Sequence, residues 1–177
     1  PAELRVGGGQ QLGSLEAGSG TVLAATGRYF SARTPFRADV AVGESVTGFP
    51  VDRVTLVDVE LRDGRGRARR PFDVEAEIEA HVEDAMDCRE QVLVHVMAGS
   101  KTDLRYLDPE WVSRWQRRYP HGLRIIVDAA QARELADELR AYLAAGASIS
   151  FTGSKALCGP PFSGVVLLDD ALLDDIT

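Results

Sequence analysis

Residues 123–131 have the sequence LRIIVDAAQ, and residues 147–155 have the sequence ASISFTGSK. Each stretch begins with a short, mostly apolar run, which is typical of a buried β-strand, and ends on small, polar or ionisable residues. Between them, residues 132–145 carry apolar side chains at helical spacing, and Gly146 follows as a stop. Strand, helix and strand in this order predict a crossover between two parallel strands of one sheet.

The same alternation extends toward both ends of the chain. Asp73 is predicted to cap one helix, and Asp108 to cap another that has Pro109 in its first turn. Further strands are predicted at residues 54–61, 92–97 and 163–168. This order predicts an α/β fold of three layers, with a mainly parallel sheet and helices on both faces.

The first fifty residues have a different character. They are rich in glycine and carry little periodicity, so we expect irregular structure with short strands there, the best candidate being residues 22–25. Residues 51–177 are expected to form regular α/β structure. No linker divides the chain, so residues 1–177 are predicted to form a single domain.

The composition of the 177 residues excludes several classes of protein. Lys and Arg total 20 and Asp and Glu total 27, a net charge of −7, which argues against nucleic acid or an anionic membrane as the main partner. A membrane-spanning helix needs about 18 apolar residues in a row, and none occurs. Two cysteines cannot build a disulfide framework, and no metal-ligand cluster is visible, so we expect a cytoplasmic protein without a metal.

A basic run at residues 64–70, GRGRARR, leaves two interpretations open. Phosphate or nucleic-acid binding is one of them. A solvated turn is favoured, because glycine-rich charged runs beside strands are usually exposed loops.

The candidate site lies where the strands end. Ligands of open α/β sheets bind beyond the carboxyl ends of the strands. Asp128 ends one predicted strand, either as a simple helix cap or as a functional carboxylate. Lys155 follows the next strand and has small, uncharged neighbours, a setting in which an amine is readily deprotonated, as imine formation requires. Pyridoxal phosphate takes a lysine as its Schiff-base partner and commonly an aspartate at its ring nitrogen.

Three motifs in the order and spacing of this chain resemble one known group of enzymes. Residues 125–131 (IIVDAAQ), 152–155 (TGSK) and 159–164 (GPPFSG) are similar to fold-type I pyridoxal-phosphate enzymes, with the class V aminotransferase and cysteine desulfurase-like group as the closest branch. The detailed resemblance covers about residues 92–168. It implies that the chain is the central part of a large cofactor-binding domain, and that the complete enzyme has a further C-terminal domain and forms a homodimer.

The resemblance also implies roles for individual residues. Lys155 would carry the internal aldimine, and Asp128 would pair with the pyridine nitrogen. Gln131 would donate to the phenolic oxygen, and Thr152 and Ser154 would contact the phosphate. Two features of the group have no clear counterpart here. The phosphate-cradling loop is not located, and neither His95 nor Tyr29 is well placed as the residue that stacks on the ring.

The favoured function is therefore that of a pyridoxal-phosphate-dependent transferase or lyase, aminotransferase class V-like, acting on an amino acid or related amine. The alternative is a catalytically incomplete domain of the same fold that serves as a structural or interaction module. A nucleotide-binding α/β domain ranks last, because no glycine-rich nucleotide loop is recognised.

Overall fold

The computed structural model describes residues 4–7, 39–41, 44–45, 54–57, 59–88, 91–98, 106–130, 136–153, 159–160 and 163–168. In chain order its regular elements are β1 (Leu4–Gly7), β2 (Val54–Val57), α1 (Pro71–Asp87), β3 (Gln91–Met97), α2 (Pro109–Arg118), β4 (Leu123–Asp128), α3 (Ala136–Ala144), β5 (Ser148–Thr152) and β6 (Gly164–Leu167).

The strands form one mixed sheet in the order β2-β1-β3-β4-β5-β6. Every neighbouring pair from β2 to β5 is parallel, and β6 runs antiparallel to β5. The prediction of an α/β fold with helices flanking a sheet is confirmed. The sequence did not predict β1, which lies in the glycine-rich region and takes an interior place between β2 and β3. The predicted strand at residues 22–25 lies outside the described residues.

The described helices cover one face of the sheet. The connections through α1, α2 and α3 each lead to a strand farther along the sheet in the same direction. Because crossovers are right-handed, connections that advance in one direction place their helices on one face. Val94, Ile125 and Ile149 point to this face and are fully buried. A helical layer on the opposite face stays a prediction.

The helix caps test the sequence analysis directly. Asp108 caps α2 as predicted, because its side chain accepts a hydrogen bond from the backbone N–H of Trp111 at 2.8 Å. The prediction that Asp73 caps α1 is wrong. The helix begins two residues earlier at Pro71, with Arg70 as the cap residue, and Asp73 lies in the first turn. Proline suits a first helical position, because the N–H that it lacks would have no partner there.

The basic run at residues 64–70 forms part of a tight hairpin. Arg62 pairs with Ala68 across it. The Asp63 carboxylate accepts hydrogen bonds from the backbone N–H groups of Arg65 and Arg67, both at 2.9 Å. The backbone hydrogen bond from Arg67 is the main reason that the pKa of Asp63 lies below its ordinary value. The run is therefore a turn, which is the interpretation that the sequence favoured.

Side chains of this run bind carboxylates of the chain itself. Arg69 Nη2 lies 2.6 Å from Glu77 Oε2, and Arg70 makes two hydrogen bonds of 2.8 Å to Asp73. These arginines already neutralise protein acids. The hairpin therefore offers less free positive charge to a phosphate than its sequence indicates.

Glu79 joins α1 to α2. Its Oε1 accepts the indole N–H groups of Trp111 and Trp115, each at 2.9 Å, and a 2.7 Å contact from Arg114. The two indoles stack with 5.4 Å between their ring centroids, so one carboxylate oxygen orients an aromatic pair whose side chains belong to the core.

We expect Glu79→Gln to lower the free energy of unfolding by about 1–2 kcal/mol, because hydrogen bonds to a charged acceptor are stronger than those to an amide. Glu83→Gln is the matched control, since Glu83 on the same helix pairs with exposed Arg118 and with no other described residue. A surface pair of this kind contributes less than about 1 kcal/mol. Urea unfolding of both variants measures the difference, and equal losses would contradict the role assigned to Glu79.

Candidate functional site

Asp128 is the last residue of β4 and is fixed by the sheet on both sides. It lies opposite Met97 in β3 and Ser150 in β5. The backbone hydrogen bonds continue past it, from Ala98 N to the Asp128 carbonyl at 2.9 Å and from Ala129 N to the Ser150 carbonyl at 2.8 Å. The backbone of Asp128 is therefore held at the carboxyl edge of the sheet.

The side chain of Asp128 lies on the face opposite the described helices. It alternates with buried Val127 and is itself partly buried. Its Oδ1 accepts the backbone N–H of Ala130 at 2.8 Å, which closes a turn of the kind that aspartate side chains often form. Residues 131–135, which join this turn to α3, lie outside the described residues. No hydrogen bond from any described residue reaches Oδ2.

Thr152 ends the neighbouring strand β5 on the same face. Ser150 lies opposite Asp128, and Thr152 follows two residues later, so strand alternation turns both toward the same side. Thr152 is partly buried and lies just beyond the level of Asp128. The structure thus brings together two of the five site residues predicted from the sequence. Lys155, Gln131 and Ser154 lie outside the described residues.

The described residues on either side of the lysine-bearing stretch are held together at one point. The backbone N–H of Gly159 donates to the Gly153 carbonyl at 3.0 Å, and the N–H of Gly153 donates to the Ser163 carbonyl at 3.0 Å. The chain therefore enters and leaves residues 154–158 at the end of β5, next to Thr152.

We call these two backbone hydrogen bonds, which join Gly153 to Gly159 and to Ser163, the closure. Close packing there explains why residues 153 and 159 are glycines. A Cβ on Gly153 would lie 2.6 Å from Ser163 Oγ, and a Cβ on Gly159 would lie 2.9 Å from the same oxygen and 3.1 Å from the Gly153 carbonyl oxygen. The Ser163 hydroxyl is held there because it donates to the Pro160 carbonyl at 2.8 Å. Neither Gly153 nor Ser163 was among the site residues predicted from the sequence.

His95 lies close to Asp128 on the same face, and from the sequence it was considered only as a ring-stacking residue. It precedes Met97, the partner of Asp128, by two residues and is partly buried. Burial lowers the pKa of His95 below its ordinary value, and the Asp128 carboxylate offsets part of that effect. The imidazole is therefore neutral near pH 7.

The rest of the described chain adds neither a metal site nor a membrane span. Among these residues no group of three or more His, Cys, Asp or Glu side chains is arranged to hold a metal ion. No described helix has the length and apolar character needed to cross a bilayer.

Comparison with known proteins gives a likeness of fold. No family model and no curated protein matches the sequence. Among solved structures, an archaeal O-phosphoseryl-tRNA(Sec) selenium transferase is similar over 98% of this chain, with a TM-score of 0.58 and 16% identity. This chain spans 33% of that protein's length. At this identity the likeness shows the fold alone and does not single out the class V group.

Proposed function

We propose that this chain forms the cofactor-binding part of a pyridoxal-phosphate-dependent enzyme, aminotransferase class V-like, which acts on an amino acid or a related amine as a transferase or lyase. The observation that carries the proposal is the carboxylate of Asp128. It ends a central strand at the carboxyl edge of the sheet, and its Oδ2 accepts no hydrogen bond from a described residue. Ligands of open α/β sheets bind at this edge.

The described residues fit pyridoxal phosphate. A partly buried carboxylate oxygen that no described residue donates to suits a protonated ring nitrogen, because a charge-assisted hydrogen bond would offset its desolvation. Lys155 would hold the cofactor through its amine, Gln131 would donate to the phenolic oxygen, and Thr152 and Ser154 would bind the phosphate. The bound cofactor supplies an electron sink for charge that develops at the substrate Cα.

Asp128 has two tasks in this proposal. The bond from Ala130 N to Oδ1 restrains the carboxylate and leaves Oδ2 available to the ring nitrogen. The negative charge of Asp128 keeps the ring-nitrogen proton in place, and the partly buried position strengthens that interaction compared with an exposed one. A cytoplasmic location and a homodimeric complete enzyme belong to the same proposal.

The lysines of the chain make a sharp test possible, because there are only two, Lys101 and Lys155. We expect that loading with pyridoxal phosphate, reduction with borohydride and peptide mass mapping will find the phosphopyridoxyl group on Lys155. The label is expected to persist in Lys101→Arg and to disappear in Lys155→Arg. A lysine amine inside a cofactor-binding site forms an imine far more readily than an exposed lysine, because it is desolvated and correctly oriented.

Two results would contradict the proposal. A label on Lys101, or equal labelling of both lysines, would show ordinary surface chemistry. If the protein shows no aldimine absorbance after free cofactor has been removed, the alternative of a catalytically incomplete domain with a structural or interaction role is favoured.

A further inference from the structure

Ser150 lies beside Asp128 at the level where the sheet face becomes accessible. The two residues are paired in register on neighbouring strands, and the N–H of Ala129 donates to the Ser150 carbonyl at 2.8 Å, so the backbone of β5 is held there. Ser148 is 2% exposed, whereas Ser150, two residues later on the same face, is only partly buried. Along β5 the face therefore opens at the level of Asp128.

The Ser150 side chain is small and is not engaged by its neighbours. Its hydroxyl makes no hydrogen bond with another residue in the described ranges, and the adjacent Asp128 Oδ2 accepts none from them either. On the other side, Ser150 pairs with Val166 of β6, which has an apolar side chain. A molecule bound at Asp128 Oδ2 would therefore meet a short, unengaged side chain on β5.

Two anchors set the direction in which the cofactor would extend from Asp128. The inference rests on the proposed function, in which Asp128 receives the ring nitrogen and Lys155 holds the cofactor through its amine. The closure keeps residues 154–158 at the end of β5. A ring held at both anchors therefore extends from β4 across β5. Neighbouring strands lie about 4.8 Å apart, and a substituted pyridine ring is wider than this, so its nitrogen end would cover Ser150.

We propose that Ser150 is a size-determining residue of the cofactor site: its short side chain leaves the space beside Asp128 that the cofactor ring occupies. A larger side chain would fill this space and keep the ring nitrogen from reaching Oδ2. Strands favour Val, Ile and Thr, so local preference alone does not explain a serine at this position. The need for space beside the carboxylate does explain it.

Binding of pyridoxamine 5′-phosphate to the complete enzyme tests this inference, because this probe has an amine in place of the aldehyde and forms no imine with a lysine. Calorimetry gives its affinity. We expect Ser150→Ala to bind as wild type, because the short side chain is kept. We expect Ser150→Val to bind more weakly and Ser150→Ile at least about 10-fold more weakly, as overpacking of a filled space predicts.

Val166→Ile is the matched control. It adds an apolar carbon on the same face, one strand farther from Asp128, where the side chain is 58% exposed and extra bulk meets solvent. We expect it to bind as wild type. Urea unfolding without cofactor is expected to show wild-type stability for the Ser150 variants, since β-branched residues suit a strand. Should Ser150→Ile not fold, Ser150→Val gives the same comparison.

The outcomes separate this inference from the proposed function. If the wild-type enzyme binds no pyridoxamine 5′-phosphate, the proposed function fails and the inference fails with it. If wild type binds and the two larger side chains at position 150 bind equally well, the proposed function stands and the inference is wrong. Equal weakening in Ser150→Ala would also overturn it, because the hydroxyl and not the size would then matter. Equal weakening in Val166→Ile would show an effect of bulk that is not specific to position 150, and would overturn it too.

Discussion

Replacing Asp128 by asparagine is expected to leave cofactor loading of the complete enzyme largely intact and to slow removal of the substrate Cα proton by about 10²- to 10³-fold, the usual effect of removing one preorganised electrostatic contact. The amide is nearly the same shape as the carboxylate and can still accept the hydrogen bond from Ala130 N. It lacks the negative charge that, in the proposed function, would hold the proton on the ring nitrogen of the cofactor. The substitution therefore removes the electronic effect and keeps the geometry.

Deuterium exchange at Cα of an amino acid in D₂O measures this rate without knowledge of the later reaction. Asp137→Asn is the matched control, because Asp137 is an exposed carboxylate in the first turn of α3 that pairs with Arg140. We expect it to behave as wild type. Unchanged exchange in Asp128→Asn would refute the assigned role. Equal slowing in both variants would show that loss of any negative charge slows exchange.

Replacing Gly159 by alanine is expected to disturb the closure that brackets the lysine-bearing stretch. The new Cβ would lie 3.1 Å from the Gly153 carbonyl oxygen and 3.2 Å from its carbon, so backbone must move. Overpacking of this kind costs about 1–3 kcal/mol of stability. A shift of about 1 Å in a reacting group can cost 10²-fold in rate. The displacement required here is smaller, so we expect a loss in exchange at Cα of less than about 10²-fold.

A comparison with Gly153→Ala makes the prediction specific. The closest contact of that Cβ is the Ser163 hydroxyl at 2.6 Å, with the Ser163 Cβ at 3.4 Å. Adding Ser163→Ala removes the hydroxyl and is therefore expected to restore Gly153→Ala in part. The same addition is expected to restore Gly159→Ala less, because that Cβ also contacts the Gly153 carbonyl oxygen and carbon at 3.1 and 3.2 Å. Equal rescue of both variants, measured by urea unfolding and by cofactor titration, would contradict this account of the closure.

The elements that were predicted correctly have their sequence signals within the element itself. α2 has a capping aspartate, a proline at its first position and an aromatic stripe at helical spacing, and all three signals agree. Strand β4 combines an apolar run with an abrupt change to polar residues, and this change also pointed to Asp128. The start of α1 was misplaced because both Asp73 and Pro71 mark helix starts, and the proline determined the first residue.

The features that the sequence did not predict depend on distant partners. β1 is four residues long, too short for a periodic signal, and it is a strand because β2 and β3 pair with both of its sides. His95 is the polar residue of an otherwise apolar run, and its relation to Asp128 exists only through the register of β3 against β4. Ser163 likewise gains its role from two glycines that only the closure brings to it.

Because β1 lies inside the sheet, the sheet cannot be completed before both neighbours of β1 have been synthesised. Residues 4–7 pair with residues 54–57 on one side and with residues 91–94 on the other. At a synthesis rate of about 5–20 residues per second, β1 leaves the ribosome's active centre roughly 5–20 seconds before β3 exists. Until then its backbone N–H and C=O groups are open to other chains, because an unpaired strand edge is a template for aggregation. Folding of this chain is therefore expected to be slow, because it is limited by pairing between distant segments. We also expect its yield to depend on whether β1 is protected from other chains until β3 has been synthesised.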